Sequence, residues 1–120
     1  MNPIAALLPV SNIVVDLDVA TKADCFAAVG ALFERTAGLA QASVASSLAA
    51  REKLGSTGLG QGIAIPHGRI KGLKQARGAF VRLRQPVAFD APDGKPVSQV
   101  FVLLVPEQEL VLQFSRELPA

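Results

Sequence analysis

The first apolar pattern along the chain alternates with polar residues. In "IVVDLDV", residues 13–19, this alternation predicts a strand with one wet face. The apolar positions expected to share its buried face are Ile13, Val15, Leu17 and Val19. Asp16 and Asp18 are expected on the opposite, solvated face, as at the edge of a sheet.

The pattern then changes to helical spacing. Thr21, with Asp24 three positions later, resembles a capping box and predicts a helix that ends at Gly38. The apolar stripe of this helix consists of Phe26, Val29, Leu32 and Phe33. A second helix is predicted over about residues 41–53, ended by Gly55. Its inward positions are Val44, Ala45, Leu48 and Ala49, and its last turn carries two cations, which the helix dipole favours, Arg51 and Lys53.

The remaining apolar runs predict strands. "IAIPH", residues 63–67, is a short strand that Pro66 closes or restricts to an unpaired side. Residues 78–89 alternate again, and Asp93-Gly94 signals a turn. Residues 97–106 contain six consecutive apolar positions, which predicts a central strand buried on both faces. The tail, residues 107–120, suits a helix or a strand equally well.

Together these elements predict an α/β fold in one domain over residues 1–120, with a mixed sheet covered by helices. Half of the residues are hydrophobic, but no apolar run approaches the ~20 residues of a membrane span. The start of the chain lacks a basic region and a cleavage site, so we expect no signal peptide. The single cysteine, Cys25, excludes an internal disulfide and is expected to be a small buried hydrophobe in a reducing cytoplasm.

Charge and motif content exclude several classes of function. The net charge is only +2, the basic residues are dispersed and there is no Tyr or Trp, so we expect no nucleic-acid partner. The glycines at 58, 60 and 62 lack dinucleotide spacing and precede a strand, and no P-loop is present. His67 and Cys25 are too few for a zinc site. A Ser-His-Asp triad is not excluded by counting, but no nucleophile elbow accompanies it.

The only histidine is the strongest candidate for chemistry. His67 lies between Pro66, which fixes the backbone, and Gly68, which permits close approach of another molecule. Arg69 and Lys71 add positive charge, and the glycine-rich turn after Gly55 can bring Arg51 close. A neutral imidazole is a good nucleophile, and phosphoryl transfer mainly requires positioning and positive groups. These features suggest a phosphoryl acceptor, while an ordinary loop histidine remains the alternative.

The stretch "AREKLGSTGLGQGIAIPHGRI" makes the pattern specific. It resembles the signature of the mannitol/fructose-type EIIA proteins of the bacterial phosphoenolpyruvate-dependent phosphotransferase system, and is most similar to their nitrogen-regulatory branch, EIIA-Ntr. The segments "KGLKQARGAFVRLRQPVAFDAPDGKPVSQVFVLLVPEQ" and "LLPVSNIVVDLDVATKADCF" resemble the same branch. The resemblance covers about residues 5–108.

The resemblance implies a fold, a reaction and partners. The fold would be a mixed sheet sandwiched by helices, with His67 as the phosphorylated histidine and Arg51 helping to hold the phosphoryl group. The donor would be an HPr-like carrier, NPr, charged by a PEP-dependent enzyme I. In the nitrogen branch, phosphorylation controls binding to targets such as potassium-transport and sensor proteins. In the sugar branch, the group passes to an EIIB domain. No cofactor or metal is implied.

Supporting roles follow for the neighbouring residues, each with a plainer alternative. Ser56 and Thr57 would donate hydroxyl hydrogen bonds to the phosphoryl oxygens or cap the preceding turn, and Gly68 would complete the pocket. Glu52 and Lys53 are expected to form a solvated face. Arg82 and Arg84 share a strand face that could rim a docking surface, although ordinary solvation is favoured. A binding module that acts without phosphorylation is a further alternative.

The chain departs from the family after "LLVPEQ". The family continues there with a second active-site histidine near a helix start and then a C-terminal helix, whereas this chain has one histidine in all. The C-terminal helical part is therefore expected to be incomplete. Three explanations are open. The segment is disordered and missing from the sequence, the chain was shortened, or the natural chain has lost the segment. We favour the first, because losing a helix exposes an apolar sheet face. A genuine loss predicts dimerisation or strand exchange.

Overall fold

The computed structural model describes residues 8–107, which form a mixed sheet of six strands and two helices. The strand order is β1-β5-β6-β3-β2, with β4 also paired to β6. β5 and β6 are antiparallel, as are β2 and β3, and the other pairs are parallel. The strands are β1 Ile13–Leu17, β2 Gly58–Gly60, β3 Ile63–Ala64, β4 His67–Ile70, β5 Arg77–Val87 and β6 Val97–Pro106.

Both predicted helices are present where the sequence places them. α1 is Lys22–Ala37 and α2 is Gln41–Lys53. The predicted cap of α1 is confirmed, because the Asp24 backbone N–H donates to Thr21 Oγ1 over 3.0 Å. The predicted stripe of α1 is buried, and Val44 and Leu48 of α2 are buried as well. Within residues 8–107 neither helix is long and apolar enough to cross a membrane.

The core lies between the helices and one face of the sheet. Ala79 and Val81 of β5 pair with Val102 and Val100 of β6, and all four side chains are almost fully buried. The apolar stripes of α1 and α2 belong to the same cluster of buried residues. The fold class predicted from the sequence, an α/β fold on a mixed sheet, is confirmed.

The prediction that β6 is buried on both faces is wrong for the described part of the chain. Val100, Val102 and Leu104 have no exposed surface, whereas the alternate residue Phe101 is 40% exposed. Successive residues of a strand point to opposite faces, and only the first set points into the helix-covered core. We call the other side of the sheet the outer face. The predicted tail beyond Glu107 lies outside the described residues, so the expected incompleteness there stays a prediction.

The predicted register of β1 is wrong in its first half. Val14, not Ile13 or Val15, packs against the core with Leu17, and Val15 is 60% exposed. The cause is Asp16, whose φ of 62° places the backbone in the left-handed region and interrupts the pairing with β5. Such an irregularity shifts the alternation by one residue, so that apolar positions on either side of Asp16 reach opposite faces.

The charged residues beside this irregularity pair with each other. Arg84 of β5 donates from Nε to Asp16 over 3.2 Å and from Nη1 to Asp18 over 3.3 Å. Arg82 is exposed on the same strand face. Of the two arginines that were candidates for a docking rim, Arg84 is therefore engaged in an ion pair within the chain.

The predicted strand "IAIPH" is divided in two. Ile63–Ala64 forms β3 and His67 opens β4, and both pair in parallel with β6. Between them, Pro66 lacks an N–H but its carbonyl accepts a hydrogen bond from the Leu103 N–H over 3.0 Å. The interruption at Pro66 thus starts a new strand whose first residue is the only histidine.

Candidate active site

His67 and Arg51 are in direct contact. His67 is the first residue of β4 and is exposed, and Arg51 lies in the last turn of α2. Arg51 Nε donates to His67 Nε2 over 3.2 Å, and Arg51 Nη1 donates to the Gly55 carbonyl over 2.8 Å. The structure therefore brings together the two residues that the sequence singled out for chemistry.

The hydrogen bonds of the imidazole define its tautomer. His67 Nδ1 lies 3.0 Å from the Ile65 carbonyl oxygen, which can only accept, so Nδ1 carries the proton. His67 Nε2 then accepts from Arg51 Nε. The lone pair of the ring is on Nε2, which makes Nε2 the nucleophilic atom of the neutral imidazole. The sequence contains no signal for this tautomer, because the partner of Nδ1 is a backbone carbonyl.

The glycine-rich stretch forms a hairpin rather than an open loop. Three consecutive residues have positive φ, with 94° at Gly60, 58° at Gln61 and 76° at Gly62. Glycine adopts this left-handed backbone conformation without steric cost, and it occupies two of the three positions. Asp93 accepts hydrogen bonds from the Gln61 N–H over 2.9 Å and the Lys95 N–H over 3.1 Å. These bonds, the Gln61 bond foremost, lower the pKa of Asp93. They tie the hairpin to the loop before β6.

Ser56 and Thr57 are engaged within the chain. Ser56 Oγ donates to the Phe89 carbonyl, and Thr57 Oγ1 donates to Glu52 over 2.6 Å. Among the hydrogen bonds of residues 8–107, neither hydroxyl reaches His67. The structure thus places both residues as anchors of the turn after α2 and does not place their hydroxyls on the imidazole.

Gly68 lies at the contact between α2 and β4. It is buried, and a Cβ atom there would overlap Ser47 Oγ of α2. Ser47 Oγ also donates to the Arg69 carbonyl over 3.0 Å. The close approach at Gly68 is therefore made by a helix of the same chain, and it sets the distance between the helix that carries Arg51 and the strand that carries His67.

Glu52 is the residue that the sequence analysis missed. The prediction that it lies on a solvated face is wrong, since its side chain is only 6% exposed, whereas Lys53 is exposed as expected. Glu52 Oε2 accepts from Lys22 Nζ over 2.9 Å, and the carboxylate accepts two hydrogen bonds from Thr57. Lys22 is thirty residues away in sequence, so no local spacing indicated this ion pair.

Cations predominate near His67 along the chain. The sequence from residue 53 to residue 89 contains no Asp or Glu, and Arg69 and Lys71 are both exposed close to His67 along the chain. The nearest acid before this segment, Glu52, is already paired with Lys22. An anionic group on Nε2 would consequently meet the guanidinium of Arg51 and no opposing carboxylate from this segment.

An exposed nucleophilic imidazole beside a guanidinium, on a mixed sheet, defines a domain suited to carrying an anionic group on histidine. The chain matches the family described as "Phosphoenolpyruvate-dependent sugar phosphotransferase system, EIIA 2" over residues 6–118. The match includes nearly the whole chain, and the protein belongs to this family. This is the family that the resemblance indicated.

Individual relatives point to both branches of the family. A nitrogen regulatory protein of Pseudomonas aeruginosa is 57% identical over 65 residues, 54% of this chain and 42% of that protein. A fructose-specific EIIA component of Haloferax volcanii is 40% identical over 60 residues, 50% of this chain and 39% of that protein. The matched region thus spans less than half the length of either relative.

Solved structures share the fold. IIA-Ntr of Neisseria meningitidis is 56% identical with a TM-score of 0.84, covering 96% of this chain and 81% of that one. IIA mannitol of Escherichia coli, at 23% identity, has a TM-score of 0.69 and covers 88% of this chain and 77% of that one. The likeness to the mannitol protein concerns the fold alone.

Proposed function

We propose that this protein carries a phosphoryl group on His67 Nε2 and that its phosphorylation state controls binding to partner proteins. The observation that supports the proposal most directly is the pair of hydrogen bonds on the ring. The Ile65 carbonyl holds the proton on Nδ1, and Arg51 Nε marks the lone pair on Nε2. The ring is exposed, and once the guanidinium moves from Nε2 to the incoming phosphoryl oxygens the lone pair can attack phosphorus in line with a positive group beside it.

The transfer step conserves atoms and charge. The Nε2 lone pair of His67 attacks the phosphorus of a phosphohistidine on the carrier protein. A new N–P bond forms on Nε2 as the N–P bond of the carrier breaks. The second nitrogen of the carrier ring already carries a proton, so the ring keeps the bonding electron pair and leaves as a neutral imidazole, and no further proton is needed. The Nδ1–H of His67 remains bonded to the Ile65 carbonyl throughout. This bond stabilises the positive charge that the ring gains when Nε2 is phosphorylated.

Arg51 stabilises the transferred group. Its Nε contacts Nε2 before transfer, so the guanidinium must move from the ring nitrogen to the phosphoryl oxygens as the new bond forms. The bond from Nη1 to the Gly55 carbonyl limits this movement to a short swing. Ser56, Thr57 and Gly68 support the pocket from outside, the first two by anchoring the turn and Gly68 by seating α2 against β4.

The proposed donor is an HPr-like carrier of the NPr type. We assign the protein to the nitrogen branch because of its similarity to the nitrogen regulatory proteins of Pseudomonas and Neisseria. In this branch the output is association with regulated proteins, such as potassium-transport or sensor components. A phosphoryl group adds about −1.5 to −2 charges beside Arg51, and such a change can switch an interface.

The experiment is phosphorylation with PEP, enzyme I and NPr. Within residues 1–120 His67 is the only histidine, so phosphohistidine formed in this part of the chain can reside only there. One phosphate per chain is expected on wild type and none on His67→Ala. Arg51→Lys keeps the charge but loses the planar fork, and we expect it to slow labelling by about tenfold or more. Equal labelling of His67→Ala would refute the proposal.

The sugar branch is a second candidate, favoured by the similarity to the fructose-specific protein of Haloferax volcanii. In that branch the phosphoryl group passes on to a cysteine of an EIIB domain. Incubation of the phosphorylated chain with a fructose-type EIIB distinguishes the two. Rapid loss of phosphate to EIIB supports the sugar branch, and retention supports the nitrogen branch. If the protein is instead a binding module that acts without phosphorylation, the His67→Ala variant would bind the partner as well as wild type does.

A further inference from the structure

Glu52 connects to both nitrogens of His67 without touching the ring. It follows Arg51 in α2, and its carboxylate is almost fully buried. One chain of hydrogen bonds leads from its carboxylate to Nδ1 of His67, and a second leads from its main-chain carbonyl to Nε2.

The first chain ends at Nδ1. Glu52 Oε2 accepts from the Thr57 N–H over 3.1 Å, and Oε1 accepts from Thr57 Oγ1 over 2.6 Å. The Thr57 carbonyl then accepts from the Ile65 N–H over 3.0 Å. The Ile65 carbonyl in turn accepts from His67 Nδ1 over 3.0 Å. Glu52 thus fixes Thr57, Thr57 fixes Ile65, and Ile65 fixes the proton on the imidazole.

The second chain ends at Nε2. The Gly55 N–H donates to the Glu52 carbonyl over 3.2 Å, and the Gly55 carbonyl accepts from Arg51 Nη1 over 2.8 Å. The turn that contains Gly55 is held at its other end by the bonds between Glu52 and Thr57. Arg51 Nε is thereby directed at His67 Nε2.

The ion pair with Lys22 makes the Glu52 carboxylate a fixed acceptor. Lys22 Nζ lies 2.9 Å from Glu52 Oε2 and 5.1 Å from the centre of the Phe89 ring. A carboxylate has no proton to donate, so both donors of Thr57 must turn toward it. A glutamine at this position would present an NH₂ group on one side and could not accept from Lys22 and both Thr57 donors together.

We infer that Glu52 is a positioning residue for His67, which through Thr57 and Ile65 keeps the ring proton on Nδ1 and the reactive lone pair on Nε2. A free imidazole exchanges between the tautomers, and the one with its proton on Nε2 cannot attack through that atom. Weakening the chain from Glu52 therefore lowers the fraction of molecules that can be phosphorylated. The kinetic part of this inference rests on the proposed phosphoryl-carrier function, whereas the tautomer part does not.

The experiment combines two readouts on Glu52→Gln. Long-range ¹H–¹⁵N correlation spectra of a ¹⁵N-labelled chain show which nitrogen of the single histidine is protonated. Phosphoramidate, a small donor that needs no carrier protein, measures the reactivity of the ring. For wild type we expect a proton on Nδ1 alone. For Glu52→Gln we expect a mixture of tautomers and a rate that falls in proportion to the fraction that keeps its proton on Nδ1, about twofold for an equal mixture.

Two further variants separate positioning from stability. Val44→Ala creates a cavity on the same helix, at a fully buried side chain outside the site, and should lower the melting temperature without changing the tautomer or the rate. Thr57→Val removes only the hydroxyl bond to Glu52 and should shift the tautomer less than Glu52→Gln, in the same direction. If Glu52→Gln does not fold, the tautomer and the rate of Thr57→Val test the inference in its place.

The two claims fail in different ways. If wild type is phosphorylated but Glu52→Gln and Thr57→Val keep the wild-type tautomer and rate, the inference about Glu52 is overturned and the proposed function stands. If the variants change the tautomer but no wild-type phosphorylation occurs with phosphoramidate or with NPr, the proposed function is overturned and the positioning geometry stands. A tautomer shift in Val44→Ala as large as in Glu52→Gln would also overturn the inference.

Discussion

Three side chains show how a residue's surroundings decide its chemistry in this protein. The imidazole of His67 is exposed, and its tautomer is set by one backbone carbonyl and one guanidinium. The thiol of Cys25 is fully buried, and burial raises its pKa to about 12. The carboxylate of Asp93 is exposed, and two backbone N–H groups lower its pKa. Burial and the raised pKa exclude the thiol of Cys25 as a nucleophile, whereas the imidazole of His67 is exposed.

The buried thiol of Cys25 should not react in the folded protein. At pH 8 the thiol stays protonated, and α1 excludes the reagent from it. We expect no labelling by a thiol reagent in buffer and one label per chain in denaturant, because Cys25 is the only cysteine. Rapid labelling of the folded chain would show that α1 opens or is not packed as described.

The Asp93 carboxylate should make the stability of the protein depend on pH in the acid range. Its pKa is lower in the folded than in the unfolded chain, so its contribution is complete above the unfolded value of about 3.9 and is lost as the pH falls through the lower folded value. Asp93→Asn should be less stable than wild type at pH 6, with the gap narrowing below about pH 4. Chemical unfolding at several pH values measures the gap, and a constant gap would contradict the assignment.

At the scale of elements, the contact between α2 and β4 determines the geometry of the site. α2 carries Arg51 and β4 begins at His67, and the two elements touch where Ser47 packs over Gly68. The hairpin of β2 and β3 brings the chain from the end of α2 to the start of β4. A change at the Ser47–Gly68 contact should therefore reach the active site, although Ser47 bonds to the Arg69 carbonyl and not to the imidazole.

Gly68→Ala should force α2 away from β4. The added methyl group would overlap Ser47 Oγ, and overpacking of this kind costs about 1–3 kcal/mol. The nearest remaining atom, Ser47 Cβ, would lie at 3.2 Å, so Ser47→Ala in the same chain should recover part of the loss. Unfolding free energies of the two single variants and the double variant form a cycle that measures this coupling. Strict additivity would contradict the packing described here.

The elements were largely predictable from the sequence, and the exceptions have physical causes. The cap at Thr21, the stop at Gly38 and the extent of α2 follow local rules of hydrogen bonding and spacing. The register of β1 was not predictable, because the left-handed residue Asp16 is an ordinary aspartate in sequence. The burial of Glu52 was not predictable either, since its partner Lys22 belongs to another helix.

At the scale of the whole molecule, the sheet separates a packed side from a reactive side. Residues His67 and Leu103 are paired across β4 and β6, and Leu103 alternates with the buried positions of β6. His67 therefore lies on the outer face, the same face as Phe101, and among residues 8–107 the long side chain of Arg51 reaches it from α2. Within residues 8–107 this arrangement leaves the imidazole exposed while the helices pack against the opposite face of the sheet.

The membership of the chain in the EIIA family could be predicted from one stretch of sequence, because that stretch combines Arg51, the glycines and His67 in a fixed order. The direction of the reactive lone pair could not be predicted from the sequence. It depends on the Ile65 carbonyl and on the anchoring of Thr57 by Glu52, which exist only once the hairpin has formed.

The most direct test of this account is the site of phosphorylation on the ring of His67. Long-range ¹H–¹⁵N spectra of the ¹⁵N-labelled protein, recorded before and after phosphorylation by NPr, identify the nitrogen that gains phosphorus. The account predicts phosphate on Nε2 with the proton retained on Nδ1, where the Ile65 carbonyl accepts it. Phosphate on Nδ1, or an imidazole left unmodified by the donor, would contradict it.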